Sequence, residues 1–255
     1  MKVAILAGGL GTRLSEETET RPKPMVEIGG KPILWHIMKH YGGHGFNEFC
    51  VALGYKGEVI KRFFLDHHTL SGDLTVDIAT GKSVVTSTAA PDWKVHLIDT
   101  GDATLTGGRI KRLERVLGAE TFMLTYGDGV SNLPLDKLVA FHKASGRLAT
   151  VSAVRPPARF GGIDFEGDLV NGFSEKSQIR EGWINGGFMV LEPGIFKYLK
   201  GDKDVLEVDL LERLAEDKQL AAFRHEGFWQ CMDTVRDKRF LEDLWNGGDA
   251  PWKTW

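Results

Sequence analysis

The sequence predicts an α/β fold in which helices flank a central, mainly parallel β-sheet. Short apolar runs alternate along the chain with stretches of helical periodicity, which is the pattern of consecutive βαβ units. The first apolar run, Val3–Ala7, ends directly in glycines, as a buried parallel strand does. The chain has 255 residues, of which 42% are hydrophobic and 26% charged, so it can bury one large core. We therefore expect a single domain, residues 1–255, with internal substructure.

The individual elements follow from short apolar runs and from apolar residues at helical spacing. The predicted strands are Val3–Ala7 and residues 49–53, 95–98, 122–125, 149–154, 188–191 and 221–224. The predicted helices are residues 32–41, 58–64, 109–117, 134–145, 208–217 and 236–245.

Two segments do not follow this alternation of strand and helix patterns. Between residues 155 and 187, glycines and prolines separate short strand-like pieces, which is typical of a lid or a small substrate-binding lobe. Residues 251–255 form an aromatic tail with two tryptophans. Because exposed tryptophans are unfavourable in water, we expect this tail to dock on the same chain or on a neighbouring subunit.

Charge and cysteine content exclude several function classes. The formal net charge of −3 and the isoelectric point near 6.3 give no bulk attraction to nucleic acid or to an anionic membrane. Cys50 and Cys231 predict neither a disulfide framework nor a metal cluster, which fits a cytoplasmic protein. The N-terminal apolar run, about five residues long, is too short for a signal peptide or a membrane span. The histidines lack zinc-ligand spacing such as His-Glu-x-x-His.

A glycine-rich loop, residues 8–13, follows the first predicted strand and reads Gly-Gly-Leu-Gly-Thr-Arg. In open α/β sheets, ligands bind beyond the carboxyl ends of the strands. Glycines let backbone N–H groups approach a phosphate, and Arg13 adds a planar fork of donors. Taken alone, the glycines fit a phosphate-binding loop and a tight turn beside a surface arginine about equally well.

Two better-known phosphate-binding motifs do not fit this loop. A P-loop ends in Gly-Lys-Ser/Thr; residues 81–83 have that ending, but Val76 stands where the first glycine belongs. A dinucleotide fingerprint requires a glycine where Leu14 stands. The missing fingerprint disfavours a nicotinamide dehydrogenase.

Lys23 lies between Pro22 and Pro24. The two prolines stiffen the backbone and aim the ammonium group, which suits charge that develops on a phosphate. The glycine loop followed by Pro-Lys-Pro resembles the opening of the sugar-1-phosphate nucleotidyltransferases. The resemblance is closest to the branch that uses CTP, and it covers essentially the whole chain. The further segments that carry it are residues 23–36, 99–102, 106–109, 125–129, 184–188, 227–230 and 251–255.

The resemblance implies an architecture and a reaction. The implied fold is a Rossmann-like, mixed sheet of the glycosyltransferase-A type with a small sugar-binding lobe and a C-terminal extension. Residues 1–130 would form the nucleotide-binding half, residues 131–240 the sugar-phosphate half and residues 241–255 the docking tail. The implied reaction is transfer of a cytidylyl group from CTP to glucose 1-phosphate, with Mg²⁺ as cofactor. A homo-oligomer is also implied.

The resemblance further implies roles for individual residues. Arg13, Lys23 and Asp128 would be catalytic, and Asp128 and Asp233 would hold the metal. The implied substrate-binding residues are Leu6, Ala7, Gly8, Gly9, Gly11, Thr12, Arg109, Tyr126, Gly127, Gly161, Glu175, Lys176, Asn185 and Gly186. Glu175 would contact sugar hydroxyls and Lys176 the sugar phosphate.

Some of these residues have ordinary structural alternatives. Asp233 could instead be the N-cap of the helix that starts near residue 236. Arg109 could lie in the first turn of a solvated helix, and Glu175-Lys176 could be surface charge. Ser177 stands where the family usually has a proline, and residues 206–210 depart from the expected Trp-Glu and later proline.

Two alternative functions remain open. Another base is possible, as in uridylyl or thymidylyl transfer, because cytosine would be recognised largely by backbone groups. A non-catalytic sugar-nucleotide-binding protein could share the fold. The presence of Arg13, Lys23, Asp128, Lys176 and Asp233 together argues against a protein that only binds.

Overall fold

A seven-stranded mixed sheet lies at the centre of the fold. The computed structural model describes residues 1–86, 90–156, 162–166, 169–174 and 182–255. The strands in this part of the chain are β1 (Val3–Ala7), β2 (Glu27–Ile28), β3 (Lys31–Pro32), β4 (Glu48–Leu53), β5 (Leu74–Asp77), β6 (Lys82–Val85), β7 (Lys94–Asp99), β8 (Phe122–Tyr126), β9 (Gly129–Ser131), β10 (Ala149–Val154), β11 (Gly162–Glu166), β12 (Leu169–Ser174), β13 (Ile184–Leu191), β14 (Leu220–His225) and β15 (Trp229–Cys231).

The helices that flank the sheet are α1 (Ser15–Thr18), α2 (Ile33–Gly43), α3 (Gly57–Leu70), α4 (Thr106–Arg112), α5 (Glu114–Leu117), α6 (Leu135–Ser145), α7 (Arg213–Glu216) and α8 (Val235–Asn246). A π-helical segment, Leu206–Glu212, runs into α7. Lys23–Met25 forms a short 3₁₀ turn. No helix in the described ranges is both long and apolar enough to cross a membrane.

The sheet order confirms the predicted mixed, mainly parallel α/β fold. The strands follow one another as β14-β10-β13-β8-β1-β4-β7. Only β13 in this sheet runs antiparallel to its neighbours β10 and β8, whereas β1 pairs in parallel with both β4 and β8. Strand β1 therefore has strands on both sides and layers on both faces, which explains why its sequence is apolar throughout.

The two faces of the sheet bury alternate residues of β1. Val3, Ile5 and Ala7 join the core that includes α2 and the C-terminal tail. Ala4 and Leu6 join the core on the opposite face, which includes residues of α4 and of the π-helical segment. The two-residue period of a strand thus distributes one apolar run between two cores.

Most predicted elements are confirmed, but two helices differ at their starts. The predicted helix 109–117 begins three residues earlier, because Gly107 and Gly108 allow the first turn of α4 to pack against the backbone at Asp202 and Asp204. A Cβ atom at Gly108 would lie 2.6 Å from Cα of Asp202. The predicted helix 208–217 begins as the wide π turn at Leu206.

The aromatic tail docks on its own chain. Trp252 has no exposed surface and lies beside the rings of Trp245, Phe228 and His36. Its indole Nε1 donates to Nδ1 of His36 over 3.3 Å. The tail therefore completes the core on the face that carries α2.

Candidate active site

A cleft of about 550 Å³ opens beyond the carboxyl ends of β1 and β8. The predicted site residues that line it are Leu6, Ala7, Gly8, Gly9, Gly11, Thr12, Arg13, Lys23, Arg109, Tyr126, Gly127 and Asp128. The other lining residues are Leu10, Pro24 and residues 102–106. The segment 102–106 follows β7 and ends at the first residue of α4. Its position after a strand was the signal that could have placed it at the site.

Four charged side chains form a chain of ion pairs at the cleft. Nζ of Lys23 lies 2.7 Å from Oδ2 of Asp128 and 2.5 Å from Oδ1 of Asp233. Nη1 of Arg13 lies 2.6 Å from the second oxygen of Asp233, Oδ2. Lys23 is only 8% exposed and Asp233 only 9%, whereas the side chain of Arg13 is 73% exposed. The cluster therefore reaches from the protein interior to solvent.

The local sequence explains how these side chains meet. Pro22 is extended and Pro24 lies inside the 3₁₀ turn that begins at Lys23, so the lysine backbone is fixed on both sides. Asp128 lies two residues beyond the end of β8, after Gly127. The antiparallel pair β9–β15 then brings residue 233 beside it, and the backbone N–H of Met232 donates to the carbonyl of Asp128 over 2.8 Å.

Mutual neutralisation shifts the pKa values of this cluster. Burial lowers the pKa of Lys23, but Asp128 and Asp233 outweigh burial and raise the pKa above its ordinary value. Burial likewise raises the pKa of Asp233, but Lys23 and Arg13 outweigh it and lower the pKa below the ordinary value. The ammonium and the Asp233 carboxylate are therefore both charged at neutral pH.

Asp233 is not the N-cap of the following helix, so that alternative is wrong. Thr234 is the N-cap of α8, and its hydroxyl accepts from the backbone N–H of Asp237 in a reciprocal capping box. Because the cap lies one residue further along the chain, the carboxylate of Asp233 is available to Arg13 and Lys23.

Arg109 is buried, so its interpretation as part of a solvated helix is also wrong. The residue is 4% exposed, and its guanidinium donates to the carbonyls of Leu53, Gly101, Gly8 and Asp102 and to the hydroxyl of Thr100. Burial lowers its pKa, although nearby Asp102 opposes this. The side chain thus ties the glycine loop after β1 to the ends of β4 and β7.

Gly8 is required by this arrangement. A Cβ atom at Gly8 would lie 2.2 Å from Nη1 of Arg109, far inside van der Waals contact. At Gly9, the next residue, a Cβ atom would meet nothing within 4 Å. The first glycine makes room for the guanidinium, while the second leaves the rim of the cleft open.

Tyr126 connects the cleft to the π-helical segment. Its hydroxyl donates to Oε1 of Glu207, and its pKa is raised by burial and by this carboxylate. Asn185, on β13, lies close enough to Tyr126 to influence its pKa, and the carbonyl of Gly186 accepts from Nε1 of Trp229 over 2.7 Å. The sequence did not single out Glu207 as a site residue, although it lies in the segment that departs from the expected motif.

Three predicted sugar-side residues lie outside the described residues: Gly161, Glu175 and Lys176. Ser177 does as well. Their roles stay predictions.

The donor set fits a magnesium ion. Mg²⁺ is usually held by one or two carboxylates, and water and substrate phosphates supply the remaining ligands. Asp128 and Asp233 approach a single cation, the ammonium of Lys23, from two sides. In the described parts of the chain, no group of three or more His, Cys, Asp or Glu side chains could hold a metal alone, so water or substrate phosphates would supply the remaining ligands of a metal here.

The fold and the cleft define an α/β protein with a phosphate-binding loop beside two carboxylates, and comparisons identify its class. The chain belongs to the nucleotidyl transferase family, whose sequence model matches residues 2–238. The expectation of this family from the sequence is thereby confirmed.

Individual relatives are more specific. The chain is 51% identical to the glucose-1-phosphate cytidylyltransferase of Salmonella typhi, and the similarity covers 100% of both proteins. It is 30% identical to the mannose-1-phosphate guanylyltransferase catalytic subunit beta of Danio rerio, over 96% of this chain and 64% of that protein. The crystal structure of HddC from Yersinia pseudotuberculosis superposes with a TM-score of 0.69 at 27% identity, covering 96% of this chain and 99% of that one.

Proposed function

We propose that this chain transfers a cytidylyl group from CTP to α-D-glucose 1-phosphate, which gives CDP-glucose and pyrophosphate. The observation that carries the reaction type is Lys23, held between Asp128 and Asp233 at the wall of the cleft. The full-length similarity of 51% to a glucose-1-phosphate cytidylyltransferase supports the choice of CTP and glucose 1-phosphate.

The reaction is a single in-line displacement. An oxygen of the glucose 1-phosphate attacks the α-phosphorus of CTP, the new P–O bond forms as the bond to the bridging oxygen breaks, and pyrophosphate leaves with that oxygen. Both reactants are anions, so the chain must offset their repulsion and align them. No covalent bond to the protein is needed.

The nucleotide side of the cleft supplies binding and charge. Backbone N–H groups of the loop 8–12 would approach the phosphates, with Arg109 holding the loop in place. Arg13 and Lys23 would offset the charge on the triphosphate and on the transition state. Asp128 and Asp233 would hold Mg²⁺, which supplies neutralisation of the triphosphate when it is bound.

The sugar side is proposed from the resemblance. Lys176 would fix the attacking phosphate and Glu175 the sugar hydroxyls, while Asn185, Gly186 and Gly161 would line the sugar pocket. Asn185 is exposed beside Tyr126, which lines the cleft. Residues 1–130 would thus serve the nucleotide and residues 131–240 the sugar phosphate.

We also propose that the chain is a homo-oligomer in the cytoplasm. The hairpin β5–β6 and the end of α3 expose apolar side chains: Leu65, Leu70, Leu74, Val76, Ile78 and Val84. Exposed apolar side chains are costly in water, and the same residues of a second copy would cover Leu74 and Val76, which share one face of the hairpin. A charge placed at Val76 should lower the mass measured by light scattering after gel filtration.

Pyrophosphate release is the direct test of the function. The purified protein is given glucose 1-phosphate, Mg²⁺ and one of CTP, UTP, dTTP, ATP or GTP. Release with CTP alone supports the proposal. Release only with another triphosphate would keep the class and replace cytidylyl by uridylyl, thymidylyl or another transfer. If the folded protein releases no pyrophosphate with any of the five triphosphates, and none with other sugar 1-phosphates, the result would favour a protein that only binds sugar nucleotides.

A further inference from the structure

The same cluster that would hold the metal is already neutralised by the protein. Two carboxylates, Asp128 and Asp233, face two cations, Lys23 and Arg13, at distances of 2.5 to 2.7 Å. Lys23 and Asp233 are buried, so water screens their attraction only weakly. A divalent ion that approaches the site without nucleotide must therefore compete with Lys23 and Arg13 for the two carboxylates.

The ammonium also lies where a bridging metal would have to lie. Mg²⁺ requires carboxylate oxygens at about 2.0–2.1 Å, so an ion shared by both aspartates must sit between them. Nζ of Lys23 occupies that position, with one oxygen of each carboxylate within 2.7 Å. The other oxygen of Asp233 is taken by Arg13. An ammonium and a metal cannot share this position.

The two cations have an alternative partner when substrate arrives. Lys23 and Arg13 both line the cleft as well as contacting the aspartates. A triphosphate offers them several strong acceptor oxygens, and charge-assisted bonds to phosphate are among the strongest that an ammonium or guanidinium group forms. Arg13 is mostly exposed and can turn toward the cleft without being pulled from a packed site.

We propose that Lys23 keeps the metal site closed in the free enzyme, and that the phosphates of the nucleotide open it by drawing the ammonium away. The metal then enters with the nucleotide and not before it. This inference rests on the proposed roles of Asp128 and Asp233, and it assigns Lys23 a second task besides charge stabilisation during transfer.

The test is binding of Mn²⁺, a paramagnetic substitute for Mg²⁺, to the nucleotide-free protein. Free Mn²⁺ is measured by electron paramagnetic resonance during titration of the wild type and of Lys23→Met, which keeps most of the side-chain length without the charge. We expect Lys23→Met to bind Mn²⁺ at least about tenfold more tightly, because one charge-assisted bond no longer competes. Lys94→Met is the matched control, since Lys94 pairs with Glu48 away from the cleft, and it should bind like the wild type.

Each outcome decides the inference. Equal Mn²⁺ affinity of the wild type and Lys23→Met would overturn it, and so would a failure of Lys23→Met to bind Mn²⁺ measurably. Arg13→Met serves if Lys23→Met does not fold, because its exposed side chain carries little packing; it should raise the affinity by a smaller factor. The titration uses no CTP and no sugar, so its result does not depend on activity. If Lys23→Met binds Mn²⁺ more tightly than the wild type but the wild type releases no pyrophosphate, the proposed function is refuted and this inference is not.

Discussion

Lys23 and Asp128 are the single residues on which turnover should depend most. We expect Lys23→Ala or Asp128→Ala to lower the rate of pyrophosphate release by at least about 10²-fold, as removal of one preorganised electrostatic group does. Thermal unfolding followed by circular dichroism should show that both variants fold. Near-normal turnover in either variant would remove that residue from the mechanism, and Lys94→Ala provides the control for loss of a lysine.

Gly8 and Gly9 allow a matched test of the contact with Arg109. Gly8→Ala must displace a guanidinium that holds carbonyls of three segments, so we expect the free energy of unfolding to fall by about 1–3 kcal/mol for the buried acceptors left unpaired. Gly9→Ala meets open space and should leave the free energy of unfolding unchanged. Urea denaturation measures both, and equal stability of the two variants would contradict the role given to Arg109.

The sequence could predict some residue positions in the site but not their partners. The glycine loop and Asp128 each follow an apolar run, so the rule for parallel sheets places both at one edge. Asp233 reaches that edge through the pairing of β9 with β15. Each of these strands has three residues, too few to show the alternation of apolar and polar residues that predicts a strand. The burial of Arg109 depends on carbonyls from three separate segments, and no local pattern reports those.

Among the elements, the C-terminal tail should contribute measurably to stability. Trp252 is fully buried between other rings, so we expect Trp252→Ala to lower the free energy of unfolding by about 3–5 kcal/mol, the usual cost of truncating a buried aromatic. Trp255 is only partly buried and is the control. Urea denaturation of both variants distinguishes them, and a Trp252→Ala variant no less stable than Trp255→Ala would show that the docked tail is dispensable.

Element prediction from the sequence succeeded where burial shapes the pattern. The inner strands of the central sheet are largely apolar because both faces are covered, and the predicted bounds of the sheet strands differ from the structure by a few residues at most. The hairpin β5–β6 was missed because its residues are largely exposed and give no burial signal. The π turn at Leu206 was missed because its spacing still resembles that of an ordinary helix.

At the scale of the whole molecule, buried histidines should make the fold sensitive to acid. Burial lowers the pKa of His36 and that of His40 to about 4, from 6.5. Between pH 6.5 and 4 the unfolded chain binds protons that the folded chain does not, so stability must fall as the pH falls through this range. The expected loss is on the order of 3 kcal/mol per histidine.

The contacts of His36 explain why its neutral form is preferred. Nε2 lies 2.8 Å from the carbonyl of Ile28 and so carries the proton, while Nδ1 accepts from Trp252. Protonation would turn that acceptor into a donor facing another donor. Urea denaturation at pH 7 and pH 4.5 should show a smaller acid loss for His36→Gln than for the wild type; an equal loss would assign the acid sensitivity to other groups.

The separation of the two aspartates along the chain also suggests where the molecule could be divided. Arg13, Lys23 and Asp128 precede the exposed turn at Gly146, and Asp233 follows it. A chain cut there would yield two fragments, neither of which contains both carboxylates. Strands β8 and β13, one from each fragment, are neighbours in the sheet and would have to find each other for the metal site to exist. Such a pair of fragments would be a complementation reporter: the separate fragments would release no pyrophosphate, and the reassembled pair would.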